Sequence, residues 1–190
     1  PGNDFKIAWP FQGMMPSFPL PNKDTSYDEK ILTDYLGKWI SEKETKPKHQ
    51  KYRADTYWGG KDFLKMSQVM TIAKQLNHPK YESAKNMTKE ALTDWLTYTP
   101  GEKEYFFAKY KAPWNGLVGF KPSFGSETFT DNHFHYGYTI LASALLGMKD
   151  AEWIDAYKDI LTLIAKQYAN WDRTDKDFPF LRTFDPWGGH

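Results

Sequence analysis

Thr130-Asp131-Asn132-His133-Phe134-His135-Tyr136-Gly137-Tyr138 brings a carboxylate, two imidazoles and three aromatic rings into nine consecutive residues. The apolar run Thr139 to Gly147 follows directly, so a helix is expected to begin after Asp131. On that helix Asp131 and His135, four residues apart, share a face at its mouth. Three chemistries are open to such a group. An aspartate at a helix start caps free backbone N–H groups, the commonest use of that residue type there. Asp131, His133 and His135 are also competent metal ligands, although two histidines two positions apart on a helix diverge by about 200°. The third chemistry is acid catalysis. A carboxyl group in an aromatic, partly dehydrated cleft is pushed towards its protonated form and can donate to a leaving oxygen.

Acid chemistry of this kind cleaves glycosidic bonds when a second carboxylate faces the acid across the sugar. The composition supplies a surface to match. Aromatic residues make up 17% of the 190-residue chain, with 8 Trp, 12 Tyr and 13 Phe. Core packing accounts for most rings on helix faces. Tyr57, Trp58, Trp114 and Trp187 fall instead in loop-like stretches, where a flat sugar face can lie on them. With 25 Lys and Arg against 24 Asp and Glu, the net charge of +1 argues against a nucleic-acid partner. The absence of cysteine excludes disulfides, thiol nucleophiles and cysteine-based zinc sites. No apolar stretch approaches the roughly 20 residues of a spanning helix, so no membrane partner is expected.

The elements that must position these residues are largely helical. Residues 1–24 carry Pro1, Pro10, Pro16, Pro19 and Pro21 and read as an extended lead-in, with residues 25–190 forming the helical domain. Ser26 and Glu29 have capping-box spacing, which predicts a first helix from about Tyr27 to Lys43. The charged stretch 41–53 reads as a solvated loop. Thr56-Tyr57-Trp58-Gly59-Gly60-Lys61 reads as a tight turn feeding a second helix, whose apolar side carries Phe63, Met66, Met70 and Ala73. Pro79 opens a third helix. Tyr105 to Tyr110 and Leu117 to Phe120 flank Pro113-Trp114-Asn115-Gly116 and predict a β-hairpin. A fourth helix follows Asp131 and a fifth runs from about Ala151 to Ala169; Asp172 onward is irregular. With no fixed-period repeat, helical hairpins packed side by side, with chemistry on the loops at one end, fit this pattern.

Asp131-Asn132-His133-Phe134-His135-Tyr136-Gly137-Tyr138 resembles the signature of glycoside hydrolase family 81, the endo-β-1,3-glucanases, in which histidine is commoner at the second position. Thr56 to Lys61, Trp114 to Val118, and Phe180 to His190 are similar to further blocks of that family, in the same order. The resemblance implies a mainly α fold, an (α/α)6 barrel of which this chain forms about the first half. It implies metal-free and cofactor-free inverting hydrolysis of internal β-1,3-glucosidic bonds, with β-1,3-glucan as the partner molecule. By position, Asp131 corresponds to the general acid and His135 to the histidine beside it. Asp55, Tyr57, Trp58, Lys61, Trp114, His133, Asp185 and His190 are the expected sugar contacts. The general-base glutamate is expected beyond His190, since neither Glu127 nor Glu152 matches it. On that expectation the chain alone is inactive unless a second polypeptide completes the barrel, and the polymeric substrate that the resemblance implies points to a secreted or cell-wall protein. The start at Pro-Gly-Asn-Asp and the end at Trp187-Gly188-Gly189-His190 fit a processed chain or a fragment. The competing expectation is a non-catalytic glucan-binding fragment or one piece of a split or engineered assembly.

Overall fold

The structure, a computed structural model, describes residues 27–110 and 116–180. The lead-in at 1–24, Trp114, and the block containing Asp185, Trp187 and His190 lie outside the described residues. Six α-helices follow in order: α1 (Glu29–Glu44), α2 (Lys48–Lys51), α3 (Trp58–Gln75), α4 (Tyr81–Leu96), α5 (Asn132–Gly147) and α6 (Ala151–Ala169). Between α4 and α5 stand the antiparallel strands β1 (Phe106–Tyr110) and β2 (Gly116–Phe120) and a one-turn 3-10 helix at Ser126–Thr128. The expected mainly helical fold with a hairpin is present.

Helix α3 lies at the centre, packed on α4 and on α5, and α5 packs in turn on α6. The core between them holds Phe63, Met66 and Met70 of α3, Leu92 and Trp95 of α4, and Leu146 and Ile164 of α5 and α6. Trp95 is its aromatic hub, with ring centroids 5.8 Å from Phe63, 6.0 Å from Tyr105 and 5.5 Å from Phe107. Tilted and edge-on geometries of this kind add to the burial of apolar area.

Three local expectations are corrected. The cap of α1 is Asp28, whose carboxylate accepts from the N–H groups of Lys30 and Ile31 at 2.8 and 3.1 Å, rather than Ser26. An aspartate one residue before the helix reaches both donors directly. The stretch 41–53 is tethered and not merely solvated. It contains α2; Lys48 pairs with Asp94 at 2.7 Å, and Arg53 makes a two-pronged bond to Asp62 at 2.8 Å per arm. Gly59 and Gly60, expected in a turn, lie inside α3. Glycine serves there for close approach. A Cβ on Gly59 would stand 2.4 Å from the Arg53 carbonyl oxygen, and one on Gly60 would stand 3.1 Å from the Tyr138 Cβ on α5.

The hairpin is bolted to the helices behind it. The Tyr136 hydroxyl on α5 donates to the Leu117 carbonyl at 3.0 Å and accepts from the Gly119 N–H at 3.2 Å. The Gln167 side chain on α6 accepts from the Leu117 N–H at 2.7 Å. All of these groups are buried, so removing the hydroxyl strands a donor and an acceptor. Tyr136→Phe is therefore expected to cost about 1–3 kcal/mol in urea unfolding. A cost near zero would show that the Tyr136 hydroxyl is not what holds β2 against α5. At the other end of α5, Asp150 caps α6 through the Trp153 N–H at 3.0 Å and reaches Lys89 at 2.9 Å. The Lys89 hydrogen bond holds the Asp150 carboxyl below its ordinary range and ties α4 to the start of α6.

Candidate active site

Asp131 immediately precedes α5 in a left-handed backbone conformation, φ 58° and ψ 14°. Its side chain makes no cap to the helix, so the commonest reading of an aspartate at this position fails here. The carboxylate turns to its own helix face instead, with Oδ2 3.3 Å from Nε2 of His135. This is the pairing that the four-residue spacing predicts. The segment leading to it turns sharply: Phe124, Gly125 and Phe129 also have positive φ. Aspartate tolerates that conformation better than bulky residues do, and here it frees the carboxylate from capping.

His135 is fully buried. Its Nδ1 lies 2.7 Å from the Thr56 hydroxyl, in the segment that leads into α3. The Nε2–Asp131 contact is an ion-pair distance off the straight line of a hydrogen bond. Burial lowers the imidazole pKa below its ordinary 6.5, and the neighbouring Asp131 carboxylate opposes that shift only in part. A group held neutral by folding binds more protons when unfolded, so its contribution to stability is lost as pH falls through 6.5. Equilibrium unfolding from pH 7.5 to 5 should therefore show wild type losing more stability than His135→Gln over that range. Parallel curves would contradict the assignment.

Tyr57 is the hub of an aromatic group around this pair. Its ring centroid is 5.3 Å from His135, 5.0 Å from Phe124, 5.1 Å from Trp58 and 6.0 Å from Tyr138. Lys61 stands 5.1 Å from the rings of both Tyr57 and Trp58. The Arg53 guanidinium also lies over Trp58, at 4.7 Å, so the indole is already attended by two cations. Asp55 Oδ1 accepts from the N–H groups of Tyr57 and Trp58 at 3.0 and 2.7 Å and from the Ser123 hydroxyl at 3.2 Å. It thus fixes the start of α3 and joins it to the 123–126 loop.

Asp131, His135, Tyr57, Trp58, Lys61 and Asp55 therefore lie together in the structure. His133 is placed on another face of α5, its ring edge-on to Tyr168 of α6 at 5.5 Å. Among the described residues no three His, Cys, Asp or Glu side chains converge as a metal site would require. Four residues of the group escaped the sequence reading. Phe124 is 65% exposed beside Tyr57, which makes it the most open ring of the group. Thr56, Ser123 and Ser126 are small hydroxyl residues whose role depends on contacts across about 70 positions, and spacing carries no sign of those. What the arrangement offers is a partly exposed carboxylate backed by a buried, neutral imidazole, beside a shelf of rings.

Residues 27–190 match the glycosyl hydrolase family 81 C-terminal domain. A glucan endo-1,3-beta-D-glucosidase of Acetivibrio thermocellus is 38% identical across the whole chain, and one of Thermobifida fusca is 33% identical. In each case the chain spans 24% of the relative's length. Among solved structures, a mutant of a family 81 glycoside hydrolase from Clostridium thermocellum superposes with a TM-score of 0.78 at 36% identity, covering 94% of this chain and 24% of that one. Together with the helical hairpins described above, these matches establish that the chain belongs to glycosyl hydrolase family 81, in the helical C-terminal domain.

Proposed function

We propose that this chain supplies the acid half of a site that hydrolyses internal β-1,3-glucosidic bonds of β-1,3-glucan with inversion. Asp131 protonates the departing glycosidic oxygen. His135, neutral and buried, orients that carboxyl group. Tyr57 and Phe124 present ring surface to the glucose units, with Lys61 and Trp58 at its edge. The observation that carries this reading is the Asp131–His135 pair, in which a helix-start aspartate forgoes capping to face a buried imidazole at 3.3 Å. The names of the relatives, glucan endo-1,3-beta-D-glucosidases, supply the substrate class. An inverting mechanism further needs a carboxylate about 6.5–9.5 Å from the acid to activate water. A polymeric glucan substrate fits a secreted or cell-wall location.

The test is to graft these 190 residues in place of the matching quarter of the Acetivibrio thermocellus relative. The chimera is expected to release reducing ends from linear β-1,3-glucan and not from β-1,4-glucan, with α-configured product appearing first by proton NMR. Product that is β-configured at first would remove inversion from the account. Glucan binding by the chain with no hydrolysis by a folded chimera would favour a non-catalytic binding role.

A further inference from the structure

Behind His135 runs a short line of buried hydroxyl groups. The Ser123 N–H donates to Ser126 Oγ at 3.2 Å, Ser126 Oγ lies 3.3 Å from Thr56 Oγ1, and Thr56 Oγ1 lies 2.7 Å from His135 Nδ1. Thr56 is 3% exposed, and Ser126 and His135 are fully buried. Water is therefore not the partner that satisfies them. Among the described residues Ser126 Oγ meets only the Ser123 N–H and Thr56 Oγ1.

That inventory fixes a direction. Each hydroxyl has one proton to give, and a backbone N–H can only donate. If Ser126 donates to Thr56, and Thr56 donates to Nδ1, every proton on the line finds an acceptor. His135 then carries its own proton on Nε2, on the side of the ring where Oδ2 of Asp131 lies 3.3 Å away, an electrostatic contact and not a straight hydrogen bond. Run the other way, Nδ1–H donates to Thr56 and Thr56 to Ser126, which leaves the Ser126 proton buried and unmatched. That arrangement also removes the proton from Nε2, the ring nitrogen that lies 3.3 Å from Oδ2 of Asp131. An unmatched buried donor costs free energy. A doubly protonated ring meets the same obstacle at Ser126, in a site that excludes water.

We infer that Thr56 and Ser126 are positioning residues: they lock His135 in the Nε2–H tautomer, with its proton held towards Asp131. Thr56 is itself held rigidly. Its N–H donates to the Lys121 carbonyl at 3.0 Å, and its methyl fills the space left by Gly119, where a Cβ would stand 2.5 Å away. Among the described residues, the charged or titratable groups facing His135 are Asp131 from the start of α5 and Asp55 and Tyr57 from the entry to α3. The consequence for catalysis rests on Asp131 being the acid; the tautomer itself does not.

Imidazole nitrogen NMR on the 15N-labelled chain tests this without any glucan. The His135 signals are assigned by their loss in His135→Gln. In wild type near pH 7, Nδ1 is expected as a pyridine-type nitrogen and Nε2 as a pyrrole-type one. In Thr56→Val, the neutral ring loses its donor and the His135 titration midpoint should rise by about one pH unit, a tenfold gain in proton affinity. Thr56→Ser, which keeps the hydroxyl, should restore the wild-type midpoint, and Ser126→Ala should raise it by less than Thr56→Val. A pyrrole-type Nδ1 in wild type overturns the inference, as does a Thr56→Val midpoint equal to that of wild type. Should Thr56→Val not fold, the wild-type tautomer and the Ser126→Ala midpoint decide. A failure here leaves glucan hydrolysis by the chimera intact, whereas an inactive but folded chimera leaves the tautomer intact.

Discussion

Asp131→Asn in the active chimera is expected to lower turnover on β-1,3-glucan by about 10²–10⁴-fold, the usual contribution of a positioned general acid. The amide has nearly the same shape and keeps an oxygen that can face His135, so folding and glucan affinity should change little. Aspartate at a helix start more often matters for stability, where losing a cap costs about 0.5–2 kcal/mol. The absence of any cap from Asp131 separates the two roles cleanly. The account expects a large kinetic loss with a melting temperature close to wild type. Stopped assays of reducing ends, alongside thermal unfolding of the same sample, measure both. A variant that melts early yet hydrolyses normally would return Asp131 to a structural role.

Gly59→Ala is expected to have the largest effect on stability of any single-methyl change near the site. The added carbon would stand 2.4 Å from the Arg53 carbonyl oxygen, a contact that backbone must move to relieve. That backbone has little freedom, because both the Arg53 N–H and its guanidinium are held by Asp62. Overpacking of this sort costs about 1–3 kcal/mol, and a rigid partner places it at the upper end. For a chain of this size each kcal/mol lowers the melting temperature by roughly 2–4 °C. The control is Gly137→Ala on α5, where an added Cβ meets nothing within 4 Å. Alanine there should be neutral or stabilise by up to about 1 kcal/mol, since helical glycine is costly. Equal gains at both positions would mean that helix propensity, and not close approach, governs the Trp58-Gly59-Gly60 motif.

Both variants bear on how the site is put together from sequence. The helices α3 to α6 were legible because their apolar residues recur at helical spacing, and α6 matches the expected span Ala151 to Ala169. The hairpin was legible from a turn motif between aromatic runs. The Asp131–His135 pair was legible from a spacing of four alone. A glycine pair usually marks a turn, which is what the sequence predicts for Gly59 and Gly60. Only the approach of the Arg53 backbone and of α5 reveals that they are helical and small for contact. The hydroxyl line through Thr56 and Ser126 was illegible for a related reason. Ser and Thr bond locally so often that their long-range partners leave no periodic trace. The basic stretch 41–53 carries no sign of its tethering, because its anchors, Asp62 and Asp94, lie in later helices.

The central claim is that Asp131 donates the proton to the leaving oxygen, and a change of leaving group tests it most directly. A dinitrophenyl β-laminarioligosaccharide releases dinitrophenolate, an anion stable enough to depart without protonation, so its hydrolysis has no need of the acid. The chimera with Asp131→Asn should lose about 10²–10⁴-fold on glucan yet stay within about tenfold of its parent on the activated substrate. An equal loss on both substrates would contradict the account, because Asp131 would then serve a step that does not depend on the leaving group.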